Sequence, residues 1–135
     1  MKKILKRVTA MCCATIMAAS TMAIGTSAKN NDDTRSLSLN GKCAVTIRSV
    51  CDKYYAYGRT ATSMSATSSV SSKYVYYNTV KKQAFIKKSS KGNDRHANTV
   101  KFYAPAGCRS LEISSSHHAA YNGETIGNKY TYAEC

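Results

Sequence analysis

The sequence predicts an all-β fold: a small antiparallel β-sandwich or partly open barrel of about six or seven strands, stapled by disulfides. Three observations carry that expectation. Between Cys43 and Tyr132 the apolar and β-branched residues recur at every second position, and no segment in this stretch keeps a helical period. The alternating runs are separated by turn chemistry, most clearly Ala104-Pro105-Ala106-Gly107 and Asn122-Gly123. Four cysteines, Cys43, Cys51, Cys108 and Cys135, lie in or beside this stretch, the even count of a small exported domain.

The first residues have a different character. Lys2, Lys3, Lys6 and Arg7 precede an apolar run from Val8 to Ile24, and Thr26-Ser27-Ala28 places small residues where a signal peptidase cuts. Residues 1–28 are expected to be a signal peptide of bacterial type and the product to be secreted. The apolar run is shorter than the about 20 residues of a spanning helix, so no transmembrane segment is expected after cleavage. Residues 29–42, polar and without sustained period, read as a flexible leader with, at its end, a short strand around Leu37 and Leu39. Residues 43–135 read as a single β domain.

The elements follow in order. Cys43 to Cys51 alternates with Cys43, Val45 and Ile47 on one face. As one straight strand it would hold its two cysteines roughly 26 Å apart, too far to bond to each other. Asp52 to Gly58 reads as a connector rich in tyrosine, with Tyr54, Tyr55 and Tyr57. Arg59 to Ser69 reads as a strand of small residues, with Thr62, Met64 and Ala66 on one face. Lys73 to Val80 is aromatic and β-branched. Lys81-Lys82 interrupts it, as a bulge or a break, before Gln83 to Lys88, and Ser89 to Asp94 is a turn. Arg95 to Tyr132 reads as a three-strand meander. It stops first at Pro105, which cannot donate to a ladder. It then places Leu111, Ile113, Ser115, His117 and Ala119 on one face, and turns at Asn122-Gly123 in a type I′ hairpin.

About that hairpin, Cys108 and Cys135 nearly mirror each other. This favours Cys108–Cys135 with Cys43–Cys51, provided the first segment bends. Cys43–Cys135 with Cys51–Cys108, and Cys43–Cys108 with Cys51–Cys135, stay open. All four are expected to be oxidised.

The chain carries 20 Lys and Arg against seven acids, a net charge of +13, still +9 without the four cations of the signal region. Such a protein is drawn to polyanions. The candidate binding residues are Lys81, Lys82, Lys87, Lys88 and Lys91, clustered without an acid among them, and Tyr54, Tyr55 and Tyr57, whose rings can stack on sugars or bases. On an edge strand the same lysines would also guard against aggregation.

Enzymatic chemistry finds little footing. His117 and His118 are adjacent, so on a strand they point to opposite faces and cannot chelate one metal together. The cysteines lack the close pairs of a zinc site. No metal and no cofactor is expected. There is no Gly-x-Ser-x-Gly, no Walker loop, no G-x-G-x-x-G and no specific nucleic-acid motif. A small ribonuclease would need His96, His117 and Lys101 to converge for general acid–base work. In size, charge and tyrosine content the chain is similar to small β-sandwich bacteriocins of the lactococcin kind, a likeness of composition that matches no motif. The expectation is therefore a secreted, non-enzymatic module that binds an anionic extracellular surface, whether wall polymer, glycan or head group. A cationic antimicrobial or bacteriocin-like protein is the alternative, and a ribonuclease the third reading.

Overall fold

The computed structural model describes residues 30–92 and 95–135. The expected signal peptide, Lys29, and Asn93-Asp94 of the expected turn lie outside the described residues. The period-2 patterning is realised as β1 (Asp32–Leu39), β2 (Cys43–Cys51), β3 (Tyr55–Thr62), β4 (Thr67–Asn78), β5 (Gln83–Gly92), β6 (Ala97–Tyr103), β7 (Cys108–Tyr121) and β8 (Glu124–Glu134). They form two four-stranded antiparallel sheets packed face to face. Sheet A has the order β1-β2-β3-β6 and sheet B the order β5-β4-β7-β8.

Several expectations need correction. The leader is not free: β1 begins at Asp32 and pairs with β2 along its whole length, from Asp32↔Val50 to Leu39↔Cys43. Its inward positions include Leu37 and Leu39, enough apolar surface to hold an edge strand. The tyrosine connector is mostly strand, since Tyr55 and Tyr57 belong to β3. The small-residue run breaks at Ser63–Ala66, where the chain crosses from sheet A to sheet B. Lys81-Lys82 lies in the β4–β5 hairpin turn, with Lys82 in the left-handed region (φ 52°). The meander is split as well. β6 pairs with β3, and the loop containing Pro105 carries the chain across to β7. Only the β7–β8 hairpin follows the expectation, with Asn122 at φ 48° and Gly123 at φ 81°, both positive as a type I′ turn requires.

The disulfide expectation also changes. Cys51 bonds to Cys135, joining the end of β2 in sheet A to the end of β8 in sheet B. The favoured Cys108–Cys135 pairing fails because a bulge in β8 carries Cys135 away from Cys108 rather than toward it. Ala119 faces Ile126, but His117 faces Lys129, so β8 gains a residue and Cys135 arrives beside Leu111. Cys43–Cys51 fails because β2 is one straight strand. Cys43 and Cys108 are buried free thiols. Cys43 packs with Ala119, and Cys108 starts the same β7 strand eleven residues earlier, so the two lie at opposite ends of the sandwich.

The space between the sheets has three zones. At the disulfide end, Ala56, Val70, Tyr74, Val100, Phe102, Ile113 and Ala133 form one apolar cluster. At the other end, Leu39, Cys43, Val45, Ile47, Ala66 and Ala119 form a second. Between them runs a belt of small polar side chains. Ser49 Oγ lies 2.8 Å from Ser115 Oγ and 2.6 Å from Thr131 Oγ1, and Ser72 Oγ lies 2.8 Å from Ser115 Oγ. The sheets approach closely here: a Cβ at Gly58 would stand 2.2 Å from Ser115 Oγ and 2.3 Å from Ser72 Oγ. Buried hydroxyls are costly unless bonded, and these bond to one another.

Candidate ligand-binding face

The inward residues of β3 are small, so its bulk faces outward. On β3, Ala56, Gly58 and Thr60 turn in while Tyr55, Tyr57 and Arg59 turn out. On β6, Asn98, Val100 and Phe102 turn in while Thr99, Lys101 and Tyr103 turn out. The register sets these outward residues side by side: Tyr55 faces Tyr103, Tyr57 faces Lys101 and Arg59 faces Thr99. Together the six line a shallow depression of about 560 Å³. Tyr103 is 66% exposed and Tyr55 39%, large values for rings that a sandwich core could have used.

Arg48 of β2 extends the face. It is the register partner of Arg59, and its guanidinium carbon lies 5.9 Å from the centre of the Tyr57 ring. Its Nε donates to Asp32 Oδ1 at 3.0 Å and its Nη2 donates to Asp32 Oδ2, a two-point grip on a carboxylate. The hydrogen bond from Arg48 holds the Asp32 carboxyl below the ordinary carboxylate range, against a weaker opposing effect of desolvation. Among the described residues, Arg59 and Lys101 have no carboxylate partner, whereas Arg48 is matched by Asp32 and Arg35 by Asp33.

The other sequence candidates are scattered. Tyr54 sits beyond β3 in the loop at the disulfide end, 59% exposed, with Lys53 Nζ 5.0 Å from its ring centre. The five lysines belong to the β4–β5 turn and to β5, an edge strand, as the edge reading required. They alternate in direction. Lys87 leans over the Tyr76 ring at 5.1 Å, while Lys88 faces Lys73 on the outer side of sheet B. β5 meets β6 at one edge of the sandwich, so the β5 lysines border the sheet A face at that edge, while Lys88 itself points to the outer side of sheet B.

The three residues of the ribonuclease reading do not converge. Lys101 points out of sheet A, His117 is buried between the sheets, and His96 stands exposed at the start of β6 with φ 71°. His117 is instead a structural member of the polar belt. Its Nδ1 lies 2.9 Å from Thr60 Oγ1 and its Nε2 lies 2.7 Å from Thr131 Oγ1. Thr60 Oγ1 donates to Ser69 O at 2.8 Å, which leaves Nδ1 as the donor to Thr60 and Nε2 as the acceptor from Thr131. Burial pushes this imidazole down to about 4, so it is neutral. Among the described residues no group of three His, Cys, Asp or Glu could hold a metal, and no helix is long and apolar enough to cross a membrane.

Of the candidate binding residues, Tyr55 and Tyr57 lie on this face; Tyr103, Arg48, Arg59 and Lys101, which stand beside them, were not among those candidates. The signal was present in the sequence, where Thr99, Lys101 and Tyr103 alternate with Val100 and Phe102. What it lacked was the β3–β6 pairing. The chain matches no family model, no curated protein and no solved structure.

Proposed function

We propose that the protein is a secreted binding module that attaches to an anionic extracellular polymer through the outer face of sheet A. The observation that carries this reading is the side-by-side placement of Tyr55, Tyr57 and Tyr103 with Arg59 and Lys101 in one depression, bordered by Arg48, where among the described residues neither lining cation has a carboxylate partner. The rings give contact area at low entropic cost, and the guanidinium forks give directional anion contacts. The β5 lysines add a long-range field that draws a polyanion to that side of the molecule. Salt-dependent retention on immobilised heparin or isolated cell walls tests it. Arg59→Gln with Lys101→Gln is expected to lower the eluting salt concentration clearly, and Lys82→Gln with Lys87→Gln and Lys88→Gln to lower it less. Retention that ignores both salt and Arg59 refutes the proposal.

A cationic antimicrobial action is the second reading, favoured by one observation. Tyr54 and Val80, the latter 82% exposed, stand on loops at the disulfide end, beside Tyr103 at the end of β6. Hydrogen bonds tie these loops together, from Ala104 N to Tyr54 O and from Thr79 N to Gly107 O. Growth inhibition of bacteria that is lost in Val80→Asp would support it.

A further inference from the structure

We infer that the ligand of the sheet A face is an acidic polysaccharide carrying carboxylates on sugar rings, and that neither a ringless polyanion nor a nucleic acid is its natural occupant. The inference rests on the binding function proposed above and names its chemistry.

The face is polarised along the strands. Tyr55 and Tyr103 stand opposite each other at the disulfide end, with Cβ atoms about 5 Å apart, and make an aromatic platform broader than either ring alone. Arg59 lies four residues further along β3, roughly 13 Å away, beside Arg48. Tyr57 and Lys101 form the middle pair. A ligand lying along β3 therefore meets the flat aromatic pair first, then Lys101 and then the arginines, which fits a chain whose rings themselves carry acid groups. A polyphosphate has charge but no ring face to offer the tyrosines.

Carboxylate is favoured by what the protein already does at this place. Arg48 and Arg59 are cross-strand neighbours of like charge, an arrangement that costs stability. Asp32 neutralises one of them through a bidentate carboxylate contact. The second guanidinium, Arg59, is left for a carboxylate from outside, next to the first and with its fork suited to the same geometry. The surrounding hydroxyls suit sugar hydroxyls: every ring on the face is a phenol, and Thr99, Thr46, Thr34 and Ser36 extend the hydroxyl surface across sheet A toward its β1 edge. The disulfide fixes the aromatic end, since Cys51 faces Ala56, the neighbour of Tyr55, and Cys135 Sγ lies 3.3 Å from Asp52 O. The platform is thus ordered before the ligand arrives.

The test is a calorimetric titration of the oxidised protein with four probes: a galacturonate hexasaccharide, the neutral cellohexaose, inorganic polyphosphate of matched charge, and oligo-dT. The galacturonate is expected to bind tightest. Tyr103→Ala should weaken it roughly five- to tenfold, and Arg59→Gln by at least as much. Tyr103 is so exposed that its removal should leave the thermal midpoint in place, which separates loss of contact from loss of fold. Polyphosphate binding equal to galacturonate binding and indifferent to Tyr103→Ala overturns the sugar inference while the polyanion reading stands. Tighter, Tyr103-dependent binding of oligo-dT overturns it in favour of single-stranded nucleic acid. If no anionic probe binds, both the inference and the proposed function fail.

Discussion

Tyr74 and Tyr103 are the same residue type on neighbouring layers of one sandwich, and they serve opposite ends. Tyr74 is fully buried, stacks on Phe102 at 5.1 Å and on Tyr76 at 5.7 Å, and places its hydroxyl 2.8 Å from Ser110 Oγ. Burial raises the pKa of its phenol, so it stays neutral. Tyr103 is next to Phe102 in sequence, yet the strand's alternation turns it to solvent. Strand parity, and not residue type, decides which tyrosine holds the fold and which is free to touch a ligand. The same parity separates Gly58, against the serine belt, from Tyr57 and Arg59 on the face.

The sharpest break of that contrast comes from truncating both tyrosines. Tyr74→Ala should cost about 3–5 kcal/mol, because it empties the middle of the aromatic stack and deprives Ser110 of a partner. Tyr103→Ala should change stability by no more than about 0.5 kcal/mol. Urea unfolding of the two variants checks this. Comparable losses would mean that Tyr103 is structural and that the face is an exposed part of the core.

A second contrast sets the interior belt against the exposed face under acid. His117 has its pKa depressed to about 4 by burial, with Asp33 pulling it up and Arg35 down by smaller amounts. In the unfolded chain it returns to the ordinary value near 6.5, so between pH 6.5 and 4 the unfolded state binds the extra proton. The stabilisation present above pH 6.5 is therefore lost as pH falls, by about 3 kcal/mol once pH reaches 4. Structurally, a doubly protonated ring would aim a second donor at Thr131, whose hydroxyl now donates to it. Stability measured by denaturant at several pH values should show the decline, and His117→Gln should flatten it even though that variant is weaker at pH 7. Parallel profiles for the two proteins would remove His117 as the cause.

The sequence revealed the architecture better than the pairing, for a physical reason. Period-2 alternation reports which residues share a face of one strand, so Cys43, Val45 and Ile47 fall together as expected, and so do Ile113, Ser115, His117 and Ala119; Leu111, expected with them, falls instead at the β7 bulge opposite Val75 and Tyr76 and is only half-buried. It carries no information on which strands are neighbours. The crossings at Ser63–Ala66 and Ala104–Gly107 therefore looked like strand and hairpin. The β8 bulge was equally invisible: Asn128 in the left-handed region (φ 53°) changes the partner of Cys135 by a single residue. The candidate site suffered most. Tyr55 and Tyr57 stand out by composition, but Arg59 and Lys101 look like ordinary surface cations until β3 and β6 are placed side by side. The serine belt was not legible in the sequence, because small polar residues make sense in a core only when two sheets bring them within hydrogen-bond distance.

The smallest effect separates the cations of the face from those of the β5 edge. Lys88 stands directly opposite Lys73 across the β4–β5 ladder, both on the outer side of sheet B. Like charges so placed repel, and an opposite pair attracts. Lys88→Glu should therefore stabilise the fold by roughly 0.5 kcal/mol at low salt, and the gain should fade as salt screens the pair. The substitution keeps a charge on the edge strand, so protection against edge-to-edge pairing should persist and the protein should remain monodisperse in light scattering. Because Lys88 points away from the sheet A face, anionic ligands should still bind, with only the reduction that two fewer units of positive charge bring to long-range attraction. Thermal midpoints in low and high salt read the first effect, and heparin elution reads the second. A fall in retention as large as that of Arg59→Gln would place β5 within the contact surface, and the division between a binding face and a guarded edge would not hold.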